Sequence, residues 1–200
     1  MVFDLDDAMG AMVEPGGNAY RSVEAANLQP GDRCLVLGPG TIGLLCGLFA
    51  QAAGAEVHLV GRSERSLAFA RSLGFEHVWT EDTIPDLPWD AVIEASNAPH
   101  FPSKAVDLVE PGKRVVYVGL AGTPSLVDTR EVALKDVTAV GVLSASPGLS
   151  GTIDSYAAGA VDPRPLIAAT LTLDDLPAIL AGARPAGSGA GPKFHVSIGG

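Results

Sequence analysis

The sequence predicts an α/β protein, a doubly wound six-stranded parallel sheet (a Rossmann arrangement) with a small C-terminal appendage. Three observations carry this expectation. Runs of β-branched and aliphatic residues alternate with Ala- and Leu-rich stretches of helical length from Arg33 to about Val142. The first run, Cys34-Leu35-Val36-Leu37, is continuously apolar, as a strand buried on both faces must be. A glycine string, Gly38-Pro39-Gly40-Thr41-Ile42-Gly43, follows it directly and opens an apolar helix.

Taken in order, the helix after the glycines runs to about Ala53 and stops at Gly54. Val57 to Val60 reads as the second strand, and Ser63 to Leu73 as a helix closed by Gly74. His77-Val78-Trp79 is a short third strand, and Ala91 to Ala95 a fourth, led in by the turn-like Pro85-Asp86-Leu87-Pro88. A helix from about Pro102 to Val109 ends at the Pro111-Gly112 turn signal; Arg114 to Val118 and Val137 to Val142 are the fifth and sixth strands. Two mononucleotide-binding halves imply the strand order 3-2-1-4-5-6. Outside this block, Ala8 to Val13 and the turn-like Glu14-Pro15-Gly16-Gly17 precede a helix from Asn18 to Ala26. The tail holds helices near Thr152 to Ala158 and Asp174 to Ala183, a Gly-rich loop from Ala186 to Pro192, and a strand from Phe194 to Ile198. The expected division is 1–17 as lead-in, 18–149 as dinucleotide-binding domain and 150–200 as appendage.

Composition narrows the function. With 47% hydrophobic and 18% charged residues, the 200-residue chain can bury a core. A net charge of −10 and the lack of any basic run exclude nucleic acid as the main partner. The start of the chain is acidic, unlike a secretory leader, and the longest apolar stretch, Ile42 to Ala50, is far shorter than the roughly 20 residues of a membrane span. A cytoplasmic location without a membrane partner is expected. Cys34 and Cys46 sit in apolar segments at no metal or disulfide spacing and read as reduced core residues. Histidines 58, 77, 100 and 195 are scattered singly and read as structural or surface residues.

The glycine string has a chemical rationale. Gly38 permits a tight turn, Gly40 lets a pyrophosphate approach the backbone, and Gly43 lets the helix pack on the sheet. The N–H groups of Thr41, Ile42 and Gly43 then face the anion, aided by the helix dipole. The end of the second strand selects the cofactor. An NAD site places an acid roughly 20 residues beyond the glycines, yet here stands Gly61, followed by Arg62-Ser63-Glu64-Arg65. Guanidinium groups at Arg62 and Arg65, beside Ser63, suit a 2′-phosphate, so NADP is favoured over NAD; Glu64 between them weakens the cationic field. A short-chain dehydrogenase needs Tyr and Lys four apart, but Tyr20, Tyr117 and Tyr156 are followed there by Glu24, Ala121 and Ala160. Gly61 also argues against a methyltransferase, which wants an acid at that place.

Glu14-Pro15, Leu28-Gln29-Pro30-Gly31-Asp32, the loop from Gly38 to Gly43, and Glu110-Pro111-Gly112-Lys113-Arg114 before Val118-Gly119 together resemble the zinc-type medium-chain alcohol and polyol dehydrogenases. The resemblance implies that Val118, Gly119 and Leu120, with Val142, Leu143 and Ser144, lie near the nicotinamide, and that Ala95 and Ser96 line the cofactor cleft. It also implies an absent N-terminal catalytic domain, which supplies the zinc ligands. Glu14 matches an acid at or beside that zinc, but one carboxylate cannot form a site of three protein ligands and a water. Two readings follow. The chain is the NAD(P)-binding portion of such a dehydrogenase, acting on a small alcohol, polyol or carbonyl substrate once a catalytic domain is supplied, and no catalytic residue is expected within it. Alternatively it is a non-catalytic nucleotide-binding or scaffold module. Parts of Ala8 to Val13 and of the tail from Leu166 to Ile198 should be apolar and exposed, or covered by another copy. A homodimer is expected, with Val137 to Val142 as the pairing edge.

Overall fold

The structure, a computed structural model, describes residues 5–198. Met1 to Asp4 of the acidic start lie outside the described residues. The elements in chain order are α1 (Asp7–Gly10), α2 (Val13–Ala26), β1 (Arg33–Leu37), α3 (Thr41–Ala52), β2 (Glu56–Val60), α4 (Glu64–Ser72), β3 (His77–Trp79) and β4 (Trp89–Glu94). They continue with α5 (Phe101–Leu108), β5 (Val109–Tyr117), α6 (Thr129–Leu134), β6 (Thr138–Gly141), α7 (Leu149–Ala157), β7 (Ile167–Leu171), α8 (Leu176–Leu180) and β8 (Lys193–Val196). The first six strands form one sheet in the order β3-β2-β1-β4-β5-β6, and every pairing in it is parallel. This is the predicted doubly wound arrangement.

The apolar runs follow from burial on two faces. Alternation along β1 sends Cys34 and Val36 toward Leu44, Leu45 and Phe49 of α3, while Leu35 and Leu37 meet Trp89, Val92, Phe101 and Val106 on the other side. Both cysteines are fully buried and unpaired. Burial raises the Cys34 thiol above its ordinary range and pushes Cys46 up to about 12, so neither is a nucleophile near neutral pH. Lys135 donates to the carbonyls of Val106, Asp107 and Val109 at 3.0, 2.7 and 2.9 Å, closing the end of α5.

Several expectations are corrected. The Pro15-Gly16-Gly17 segment is no turn: α2 begins at Val13, where Pro15 is tolerated in the first turn and both glycines are buried against α7 and the loop before it. Met9 and Met12 of the lead-in are buried in the core rather than exposed, as is Leu166 in the tail, although Leu173, Leu180 and Ile198 are exposed. Pro111-Gly112 does not precede β5 but bulges out within it. Val109 pairs with Trp89 and Arg114 with Ala91, leaving the intervening residues looped, Gly112 at φ +75°. The sequence reading lacks α6, capped by Asp128, and β7, which pairs in parallel with β8 as a separate two-stranded sheet. The tail helix is shorter than expected, a 3₁₀ turn at Leu173–Asp175 followed by α8. Among the described residues no helix is long and apolar enough to cross a membrane.

Candidate functional site

Because β1, β2, β4, β5 and β6 run in parallel, the segments that follow them gather along one edge of the sheet. The strand order reverses direction between β1 and β4, and a crevice at such a switch point is where this architecture binds ligands. The predicted residues lie in the segments that follow these strands: 38–43 after β1, 61–65 after β2, 95–96 after β4, 118–120 after β5 and 142–144 after β6.

At the switch point, Gly38 leaves β1 at φ +104° and its N–H donates to the Val60 carbonyl at 2.9 Å. A Cβ there would press on Ser96 Cβ at 2.8 Å and on the Ala95 carbonyl at 3.0 Å. At Gly43 a Cβ would overlap the Gly38 carbonyl oxygen, so α3 and the turn approach as only glycines permit. Gly40 differs. It is the exposed N-cap of α3, a Cβ there meets nothing within 4 Å, and no side chain caps the helix. Leu44 makes the first intrahelical bond, to the Gly40 carbonyl, leaving the N–H groups of Thr41, Ile42 and Gly43 without intrahelical acceptors. The start of α3 is a set of free donors beside open space.

After β2, a Cβ on Gly61 would meet Pro39 at 2.7 Å and Leu67 at 2.8 Å, which holds the two loops together. Ser63 caps α4, accepting from the Ser66 N–H at 3.2 Å. Arg62 and Arg65 are exposed and form no ion pair among the described residues. Glu64, expected to weaken their field, instead binds Arg71 at 3.0 Å. The Ala95 N–H donates to Leu37, and the N–H groups of Val118 and Gly119 donate to the Glu94 carbonyl at 3.0 and 2.8 Å. Leu120, after β5, and Leu143, after β6, are exposed, and Val142 is buried. Arg21 of α2 donates to the Ser144 carbonyl, tying that helix to the loop after β6.

Sequence reasoning missed Glu94. This carboxylate is 2% exposed, and its Oε1 accepts from Ser96 N–H at 2.8 Å and Ser96 Oγ at 2.5 Å. Burial pushes its pKa above the ordinary carboxylate range, opposed by the two Ser96 bonds. It fixes Ser96 against Gly38. The signal was an acid closing the apolar run Ala91-Val92-Ile93.

Among the described residues, the ligand-type side chains do not fit a zinc site. Glu14 is exposed and accepts from the Asn18 amide at 3.0 Å, and it joins no cluster of ligand-type side chains among the described residues. The histidines are less scattered than their spacing suggests. Register pairs His58 with His77 across β2 and β3, and Glu56, His58 and His77 bring ligand-type atoms within 4.8 Å of one another. The two rings are nevertheless stacked, 4.3 Å apart and 9° from parallel. In-plane lone pairs of parallel rings cannot converge on one ion. Both nitrogens of His58 are also engaged, Nε2 with Glu56 at 2.8 Å and Nδ1 as acceptor from Trp79 Nε1 at 3.0 Å. His100 binds Glu81 at 3.0 Å, and His195 keeps Nε2 buried without a hydrogen-bond partner.

The family model described as zinc-binding dehydrogenase matches residues 41–158, more than half of the chain, from the first residue of α3 to just beyond α7. The chain belongs to the zinc-binding dehydrogenase family. A curated relative, 2-dehydro-3-deoxy-L-galactonate 5-dehydrogenase of Pseudoalteromonas atlantica, is 27% identical over 184 residues, covering 86% of this chain and 53% of the relative. Among solved structures, a "putative zinc-binding dehydrogenase" from Sinorhizobium meliloti bound to NADP superposes with a TM-score of 0.86 at 23% identity, covering 98% of this chain and 61% of that one. A structure described as a short chain alcohol dehydrogenase (rspB) of Escherichia coli, complexed with NADH, gives 0.83 at 21%, covering 90% and 57%. These structures share the fold. The landmark resemblance to this family is borne out. The chain spans about half the length of the curated relatives it matches.

Proposed function

We propose that this family member binds NADP in the crevice at the strand ends, in preference to NAD, and serves hydride transfer between the nicotinamide and a hydroxyl-bearing carbon of a small alcohol, polyol or carbonyl compound. The observation that carries the reading is the uncapped start of α3, with free N–H donors beside the open space at Gly40. The bound dinucleotide supplies the hydride donor or acceptor. The chain's own part is to bind and orient it: the first turn of α3 on the pyrophosphate, Ala95 and Ser96 along the cleft, and Val118 to Leu120 with Val142 to Ser144 near the nicotinamide. Residues 18–149 would hold the dinucleotide, and 150–200 the appendage. The cofactors in the two solved structures named above, NADP and NADH, and the sugar-acid dehydrogenase among the relatives support this class of chemistry. The buried free thiols are in keeping with a cytoplasmic location.

The unpaired Arg62 and Arg65 support the NADP preference. Replacing both by alanine should weaken NADPH binding about tenfold or more, the scale of a lost charge-assisted phosphate contact, and leave NADH affinity unchanged. A fluorescence titration with each cofactor checks this. Equal weakening for both cofactors, or a wild type that prefers NADH, would contradict it.

The donor inventory favours a second reading for the isolated chain, a nucleotide-binding module without turnover of its own. Among the described residues Glu14 has no companion ligands for zinc. Either way we expect a homodimer. Strand β6 is the sheet edge and exposes Thr138, Ala139 and Gly141, with Leu134 and Leu143 exposed on its flanks. Light scattering should give twice the chain mass; a single monomeric species would count against the edge pairing.

A further inference from the structure

The Glu56–His58–Trp79 network lies in the β2–β3 half of the sheet and has no part in the cofactor reading. It starts at Arg33 of β1, whose Nε donates to Glu56 Oε1 at 3.1 Å. Glu56 in turn meets His58 Nε2 at 2.8 Å, and Trp79 Nε1–H donates to His58 Nδ1 at 3.0 Å. An indole can only donate, so Nδ1 must be the bare nitrogen of the ring, and Nε2 carries the proton toward the carboxylate. The ring is 2% exposed, stacks on His77, and takes the Trp89 ring on its edge at 4.8 Å.

We propose that His58 is a proton-sensitive latch holding the edge strand β3 to the sheet: a proton added at Nδ1 would face the Trp79 N–H donor to donor, and the pair must separate. Strand β3 is short, three residues, and is the sheet edge. Beyond the latch, Trp79 also accepts at its carbonyl from the Gly61 N–H at 3.0 Å, so its release reaches the loop after β2. The connection between β3 and β4 contains a 3₁₀ turn and no α-helix, so Ile84 and Leu87 from that connection supply the apolar cover there.

The charged groups acting on the ring are Glu56 on its own strand, Arg33 from β1 and His77 from β3. Strand β4 presents Trp89, with Asp90 turned to Lys113 at 2.6 Å and to the Arg33 N–H. The connection before β4 keeps Glu81 on Lys104 and His100. Burial holds His58 below its ordinary value near 6.5, opposed by the Glu56 bond. The unfolded or released ring therefore binds the proton more readily than the latched one, and the latch weakens as pH falls below 6.5. The Glu56 carboxyl lies below its ordinary range, chiefly through its bond from His58, so its own titration comes at lower pH.

Both tryptophans of the chain touch His58, which makes intrinsic fluorescence a direct reporter. On acidification from pH 7.5 to 5 the wild type should lose and red-shift its emission, with a midpoint below 6.5. His58→Asn, which offers an acceptor at the Nδ1 place but does not titrate, should stay flat, while His77→Asn should keep the transition. A second measurement needs no variant: the ¹⁵N spectrum of the imidazoles should show His58 protonated at Nε2 alone at pH 7.5. A flat wild-type profile, a transition surviving in His58→Asn, or an Nδ1-protonated ring at pH 7.5 would each overturn the latch. None of these readouts uses a nucleotide, so the latch stands or falls apart from the cofactor reading.

Discussion

Gly40→Asp should leave the melting temperature of the chain unchanged or slightly raised and lower its affinity for NADPH by about 100-fold or more, a loss of about 2.8 kcal/mol. Gly40 sits at φ −81° and ψ −172°, extended backbone that any residue adopts, and a Cβ there has no neighbour within 4 Å. Aspartate is a good N-cap, so it would satisfy the free donors of the first turn of α3 and complement the helix dipole. Those are the donors a pyrophosphate needs, and the carboxylate would repel it as well. The substitution therefore separates folding from binding. Gly43→Ala is the contrasting case. Its Cβ overlaps the Gly38 carbonyl oxygen, part of the backbone, so it should lower both stability and affinity. Thermal unfolding alongside a binding titration of each variant checks the pair. Retained NADPH affinity in Gly40→Asp would place the phosphates elsewhere.

A large stability loss is also expected at the crossing of α2 with α7. Gly148→Ala should destabilise the chain by about 3 kcal/mol, at the upper end of overpacking effects. For a chain of this size that is about 6–12 °C in melting temperature. Its backbone angles, φ −91° and ψ −6°, suit alanine, so the cost is steric alone. The added Cβ would overlap the Gly17 carbonyl and press on Arg21 Cγ at 2.9 Å. Gly17 is itself packed against Ala145, and Gly16 and Gly151 leave no room for a Cβ beside Tyr156 and Tyr20, so the interface has no slack to absorb a methyl. Gly122→Ala, where nothing lies within 4 Å, is the control and should stay within about 0.5 kcal/mol of wild type. Calorimetric melting of both would test this.

The sheet was legible because a strand buried on both faces leaves an apolar run in the chain, and the glycine turn was legible because its place between strand and helix is local. Features that depend on distant partners were not. Gly16 and Gly17 look like a turn until α7 is seen lying on them, and Ile167 to Leu171 is a strand only because Lys193 to Val196 returns beside it. His58 and His77 meet through the register of β2 with β3, which no spacing in the sequence displays. At the site, Glu94 could have been noticed as an acid closing the apolar run Ala91-Val92-Ile93. Its bond to Ser96, and through it the support of Gly38, required the fold. The pairing of Glu64 with Arg71, which leaves Arg62 and Arg65 free, likewise depended on how α4 turns its side chains.

Calorimetric titration of the wild-type chain with NADPH and, separately, NADH bears most directly on the cofactor reading. The proposed reading predicts saturable one-to-one binding of NADPH, tighter than NADH. Heat from neither cofactor would mean that the strand-end crevice is retained without its ligand, and would contradict the reading.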